Sequence, residues 1–88
     1  MLGNSAFTKS IVKNITVKDD NQCQLECFFE ATCKSYNLGP PQELSGNMRH
    51  VCELSSSYHI FSPDDLVSRP GFSYHSSVVS NVSHMVVV

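Results

Sequence analysis

Residues 23–37 read CQLECFFEATCKSYN and hold three of the four cysteines in a chain of 88 residues. Cys23 and Cys27 stand four apart, Cys33 follows, and Cys52 comes later inside HVCEL. On a helix, positions i and i+4 share a face, so the first two cysteines point together at whatever that face covers. Side chains on one helix face meet the strict geometry of a disulfide poorly, so each is expected to reach a different partner. Cys33 lies just past the expected helix end, near Cys27 after a chain reversal, and Cys52 sits in a strand able to run beneath the helix. This favours nested pairs, although four cysteines allow three connectivities.

The residues on either side extend the pattern. IVKNITVK at 11–18 places Ile11, Ile15 and Val17 on one alternation parity and is β-branched, which predicts a strand. Asp19 and Asp20 suit a helix start, because a carboxylate there accepts from the first unpaired backbone N–H groups. A helix is predicted over about 20–31, with Leu25, Phe28 and Phe29 supplying apolar bulk. Residues 34–38 read as a strand stopped by Gly39-Pro40-Pro41, 42–47 as a polar loop, and 50–54 as a second core strand. A serine-rich loop follows, then a turn at Arg69-Pro70-Gly71 and a last short strand over 72–75. The fold class expected is α+β: one helix lying on a small antiparallel sheet of about five strands. Residues 1–5 are expected to be a disordered lead, 6–77 the domain, and 78–88 a flexible tail.

A chain of this size forms one domain with a thin margin of stability. Two disulfides would add roughly 2–4 kcal/mol each in the chain-entropy model. Zinc is the rival use of the cysteines, with His50 as a further ligand, but zinc sites are usually built from two short ligand pairs and Cys52 has no near partner. A cysteine nucleophile lacks any local signature, and a His59, Asp64 or Asp65, and serine triad is an inexpensive coincidence in a serine-rich chain. The net charge is −2, and the six basic residues (Lys9, Lys13, Lys18, Lys34, Arg49 and Arg69) are scattered, with no two adjacent. Nucleic acid is excluded as a partner on this ground; convergence of Lys13, Lys18 and Lys34 on an anionic polysaccharide is a minor alternative.

No run approaches the ~18 apolar residues of a membrane span, so no membrane insertion by this segment is expected. Residues 1–14 lack the basic and apolar regions of a signal peptide. Disulfides need an oxidising compartment, reached by a signal not present in this stretch, so the chain is read as a fragment such as an excised module. Asn14-Ile15-Thr16 and Asn81-Val82-Ser83 are N-glycosylation sequons, and Asn14 is usable only if its side chain faces solvent.

Taken together, C-x3-C-x5-C-K-S-Y-N, then C-E-L, then D-L-V-x-R-P-G-F-x-Y, resemble the PAN/Apple domain over roughly 6–76. The resemblance implies about five antiparallel strands crossed by a helix, with Cys23 paired to Cys52 and Cys27 to Cys33. The cysteines that join the termini in Apple-type members have no counterpart, which points to the simpler PAN form. It also implies a non-catalytic, extracellular adhesion or recognition module without cofactors, whose partner is a protein or glycan. A structural spacer and a small secreted cysteine-rich effector are the alternatives. The contact surface is expected in the loops 39–48 and 55–71, with Arg49, Tyr58, His59, Phe61 and Arg69 as candidate ligand contacts, since tyrosine and arginine are typical of interface hot spots; the alternative role for Tyr58 and Phe61 is to pack the loop onto the sheet.

Overall fold

The computed structural model of the chain describes residues 2–76. In chain order it holds β1 (Leu2–Phe7), β2 (Ile11–Val17), α1 (Asp20–Phe29), β3 (Ser35–Leu38), β4 (Gln42–Leu44), β5 (Asn47–Ser55), a single 3-10 turn (Pro63–Asp65) and β6 (Leu66–Ser76). The strands are paired antiparallel in the order β1-β6-β3-β5-β2, and β4 pairs the first part of β5. This is the α+β architecture anticipated, with β4 as a sixth strand.

Local chemistry fixes where α1 begins. Asp19 caps it by accepting from the Gln22 N–H at 2.8 Å, and Gln22 Oε1 accepts from the Lys18 N–H at 2.8 Å. The two side chains thus satisfy donors on both sides of the entry, in the manner of a capping box. At the other end the Glu30 N–H reaches back to the carbonyls of Cys27 and Glu26. The helix packs on β3 and β2.

Register separates the sheet into two faces. Tyr36 pairs with Leu54 and His75, Leu38 with Cys52 and Ser73, and Ile15 with Cys52, so these residues share the face beneath α1. There Val17, Cys23, Cys27, Tyr36, Cys52 and Leu54 form the buried core, with Ile15, Cys33 and Leu38 against it. Asn37 pairs with Glu53 and Tyr74, which puts these three on the opposite face. On that face Phe7 is fully buried, and its ring lies 5.8 Å from that of Tyr74.

Three expectations are corrected here. Residues 2–5 belong to a strand rather than to a disordered lead: Leu2 pairs with Tyr74 and Gly3 with Ser73. The polar stretch 42–47 is largely a hairpin, with Leu44 facing Asn47 across Ser45 (φ 53°) and Gly46 (φ 82°). Two successive positive-φ residues are what a type I′ turn requires, and its twist matches that of the flanking strands. Finally, Arg69-Pro70-Gly71 does not start a new strand but forms a bulge within β6. Between Gly3 and Ser5 on β1, the paired positions on β6 jump from Ser73 to Ser68. Gly71 stands at φ 83°, donates its N–H to Asn4 Oδ1 at 3.0 Å, and would bring a Cβ to 3.1 Å from Pro40. Both the backbone angle and the close approach call for glycine. The tail expected at 78–88 lies outside the described residues, as does Asn81.

Candidate recognition surfaces

The four cysteines are all oxidised. Cys23 is bonded to Cys52, with Cα atoms 5.7 Å apart, and Cys27 to Cys33, with Cα atoms 5.3 Å apart. None is therefore a thiolate available to a metal or a substrate. The first bond ties the helix to the middle of β5; the second ties its last turn to the chain leaving it. Among the described residues no group of three or more His, Cys, Asp or Glu side chains is placed to hold a metal ion.

Two histidine clusters have catalytic residue types but not catalytic geometry. Under the helix N-terminus, Tyr36 donates to Asp20 Oδ1 at 3.0 Å, and its ring stacks on His75 at 4.5 Å. His75 Nε2 faces both Ser73 Oγ at 3.1 Å and Asp20 Oδ1 at 3.6 Å. A hydrolytic triad needs the carboxylate on one ring nitrogen and the hydroxyl on the other, whereas here both meet the same nitrogen. Burial moves the His75 pKa below its ordinary value, against the opposing pull of Asp20. Burial, helped by the hydrogen bond to Asp20, pushes the Tyr36 phenol well above its own. In the second cluster His59 is engaged by Tyr74: its N–H and its Nδ1 each lie 3.0 Å from the Tyr74 hydroxyl. That leaves Nδ1 engaged with a phenol rather than with Asp64 or Asp65, so the constellation considered for hydrolysis does not assemble.

The candidate contact residues fall into three places. Tyr58, His59 and Phe61 share one loop, where the Tyr58 ring packs edge-on against Phe61 at 4.6 Å. Tyr58 itself is buried at 8% exposure, in keeping with its packing the loop onto the sheet, while Phe61 is 67% exposed. The loop is anchored from below by the Tyr74–His59 bonds and by the Ser35 hydroxyl, which donates to the Ser57 carbonyl at 2.6 Å. Its tip, Ile60 and Phe61, stands in solvent. Arg69 leaves the bulge of β6 to pair with Glu53 at 3.1 Å and to lie 4.1 Å above the Phe72 ring. Glu53 Oε1 also accepts from Asn37, so Arg69 continues a polar chain that begins at the buried Asn37–Phe7 bonds. Arg49 is separate, on β5 opposite Gln42, where it donates to the Met48 carbonyl.

Asn14 is exposed on β2, which is an edge strand, and Thr16 of the same sequon is exposed beside it. The largest surprise is on the helix. Leu25, Phe28 and Phe29, which supply the apolar bulk of the helix, are 46%, 78% and 77% exposed, whereas Cys23 and Cys27 turn inward on the face they share. The signal was present in the spacing: 25, 28 and 29 form a stripe opposite 23 and 27, and only one stripe can face the sheet.

A helix tied by one disulfide to an antiparallel sheet and by a second to the chain leaving it defines a cystine-stapled α+β module. The chain matches the model of the PAN domain over residues 2–81 and belongs to that family. PAN domains are usually extracellular modules that bind protein or carbohydrate and are generally non-catalytic. No curated protein and no solved structure matches the chain. No helix among the described residues is long and apolar enough to cross a membrane.

Proposed function

We propose that the chain is a non-catalytic, extracellular recognition and adhesion module that binds a protein or a carbohydrate as part of a larger secreted or membrane-attached protein. The observation that carries this reading is the loop 56–62. Its base is fixed by Tyr58, Tyr74 and Ser35, while its tip presents Ile60 and Phe61 to solvent. A stapled scaffold that holds apolar groups out on an anchored loop is suited to binding, because little entropy is lost when the loop meets its ligand. Phe61 is the central contact in this proposal, His59, Arg49 and Arg69 are flanking polar contacts, and Tyr58 acts by holding the loop.

The test is binding of the oxidised chain to a glycan array and a panel of matrix and secreted proteins, beside an Ile60→Ser/Phe61→Ser variant. Loss of a ligand by the variant at unchanged melting temperature supports the assignment. Ligands retained in full would move the contact surface elsewhere. An oxidised chain that binds nothing favours the spacer alternative. The effector alternative calls instead for the chain to be found as a free mature peptide.

Asn14, exposed on the open edge, is proposed as a glycan carrier, with Asn81 as a second acceptor. A glycan at Asn14 would also shield the edge of β2 that no described strand pairs from edge-to-edge association. Treatment of secreted material with an N-glycosidase should convert Asn14 to aspartate, and recovery of unmodified Asn14 peptide without that treatment would remove the assignment.

A further inference from the structure

On α1, the residues that turn away from the sheet are the apolar ones. Leu25 with Phe28 and Phe29 occupies positions i, i+3 and i+4, a continuous ridge along the outer side of the helix. The two phenylalanine rings meet edge-on with centroids 5.4 Å apart, so they form one raised aromatic surface rather than two scattered side chains. Both are more than three-quarters exposed. Exposed aromatic clusters of this kind mark interaction sites.

Charge selects the kind of partner. Residues 19–30 carry Asp19, Asp20, Glu26 and Glu30 and no lysine or arginine. Asp19 is committed to the helix cap, and Asp20 to Tyr36 and His75. Glu26 remains on the helix beside the ridge, and Glu30 follows directly as the residue that ends it. The basic residues that flank this segment in sequence are Lys18, just before the cap, and Lys34, beyond the second disulfide. A second copy of the chain docking ridge to ridge about a two-fold axis would bring these carboxylates against their equivalents. An anionic lipid surface meets the same repulsion.

We propose that Leu25, Phe28 and Phe29 form a docking ridge for a protein partner whose apolar groove is rimmed by lysine or arginine. This deepens the recognition reading and rests on it. It places the protein-binding surface on the helix, on the side of the sheet away from the loop 56–62.

The test uses two labelled synthetic helical peptides with the same leucine face, one with lysine and one with glutamate at the polar positions. Their binding to the oxidised 88-residue chain is read by fluorescence anisotropy. The lysine probe should bind at least about tenfold more tightly at low salt, with the gap closing as ionic strength rises. Phe28→Ser/Phe29→Ser should weaken the lysine probe by about tenfold or more. Glu26→Lys/Glu30→Lys should reverse the preference between probes. All variants should keep the wild-type melting temperature, since none of these side chains is buried.

Equal binding of the two probes, or binding indifferent to Phe28→Ser/Phe29→Ser, overturns the proposal. So does a sedimentation dimer, or binding to phosphatidylserine vesicles, that the aromatic variant abolishes, because each names a different occupant. Displacement of the lysine probe by a peptide of residues 77–88 would assign the ridge to the chain itself and overturn it equally. Panel ligands that survive the aromatic change defeat the ridge and leave the recognition reading standing; a chain that binds neither panel nor probe defeats both.

Discussion

The two faces of the sheet are closed by different chemistry. Beneath α1, a small core of Val17, Tyr36 and Leu54 is held by covalent bonds, with only Cys23 and Cys27 buried from the helix. On the opposite face no covalent bond crosses. Phe7 and Tyr74 pack there around Asn37, which accepts from the Phe7 N–H at 2.8 Å and donates to the Phe7 carbonyl at 2.7 Å. The Ser55 hydroxyl similarly donates to the Lys9 carbonyl, and that of Ser35 to Ser57. Where the chain is stapled, the helix needs no apolar anchor and its large residues are released to the surface. Where it is not, buried polar side chains must be matched to backbone groups, because an unpaired one is costly.

This difference predicts a hierarchy of losses. Removing the central bond by Cys23→Ala/Cys52→Ala should cost the most, about 3.5 kcal/mol for a loop of this length in the chain-entropy model. The bond at the helix end closes a much shorter loop, with a sequence separation of 6 against 29. Cys27→Ala/Cys33→Ala should therefore cost less, about 2.3 kcal/mol. Urea titrations of the two double variants give the ordering directly; equal losses would show that native contacts, rather than unfolded-state entropy, dominate the staples.

Asn37→Ala tests the other face. It removes the partners of the Phe7 N–H and carbonyl and one partner of Glu53, in a position only 1% exposed. A loss of about 2–3 kcal/mol is expected from stranding such groups. Amide exchange should accelerate first in β1, since Asn37 is what bolts that strand across the sheet. Uniform acceleration through α1 as well would mean the two faces unfold as one unit.

These contrasts also explain what was legible in the sequence. β2, α1, β3 and the centre of β5 were readable because β-branched alternation, an aspartate cap and cysteine spacing are local signals. β1 was not: LGNSAF has no alternation, and its order comes from β6 and from Asn37, thirty residues away. The loop around Tyr58 was recognisable as a loop, but its anchoring by Tyr74 was not, because that bond spans fifteen residues. The inward face of α1 was legible, because Cys23 and Cys27 share it, but the fate of its apolar residues was not. Leu25, Phe28 and Phe29 were read only as apolar bulk, and the face they take follows from the disulfides, which turn the stripe carrying Cys23 and Cys27 inward. Two covalent bonds outweigh a hydrophobic preference that the opposite stripe cannot satisfy at the same time.

Acid should reveal the next effect, smaller than loss of Asn37. Burial against Tyr36 lowers the folded-state pKa of His75 below its ordinary 6.5, and Asp20 only partly offsets this. The unfolded chain therefore takes up the proton first as pH falls. The contribution of His75 is complete above 6.5 and is lost as pH drops through the folded value beneath it. Denaturation midpoints should decline on acidification below that point, and more shallowly in His75→Gln. An unchanged slope would locate the proton uptake elsewhere.

The smallest stability effect belongs to the most hydrophobic change. Phe28→Ser/Phe29→Ser removes two aromatic rings, a substitution that in a core would cost about 3–5 kcal/mol for each ring removed. On the outer side of α1 the rings are already hydrated, and only their mutual edge-on contact is lost. Serine and phenylalanine have similar helix propensities, so the urea midpoint should move by an amount near the limit of measurement. A large loss would mean that the rings are covered in solution and that the helix is held by its apolar stripe after all. A negligible one, set beside the loss for Cys27→Ala/Cys33→Ala, would establish that adjacent positions on one helix are divided cleanly: the cysteines hold the fold, and the aromatic residues are free to meet something else.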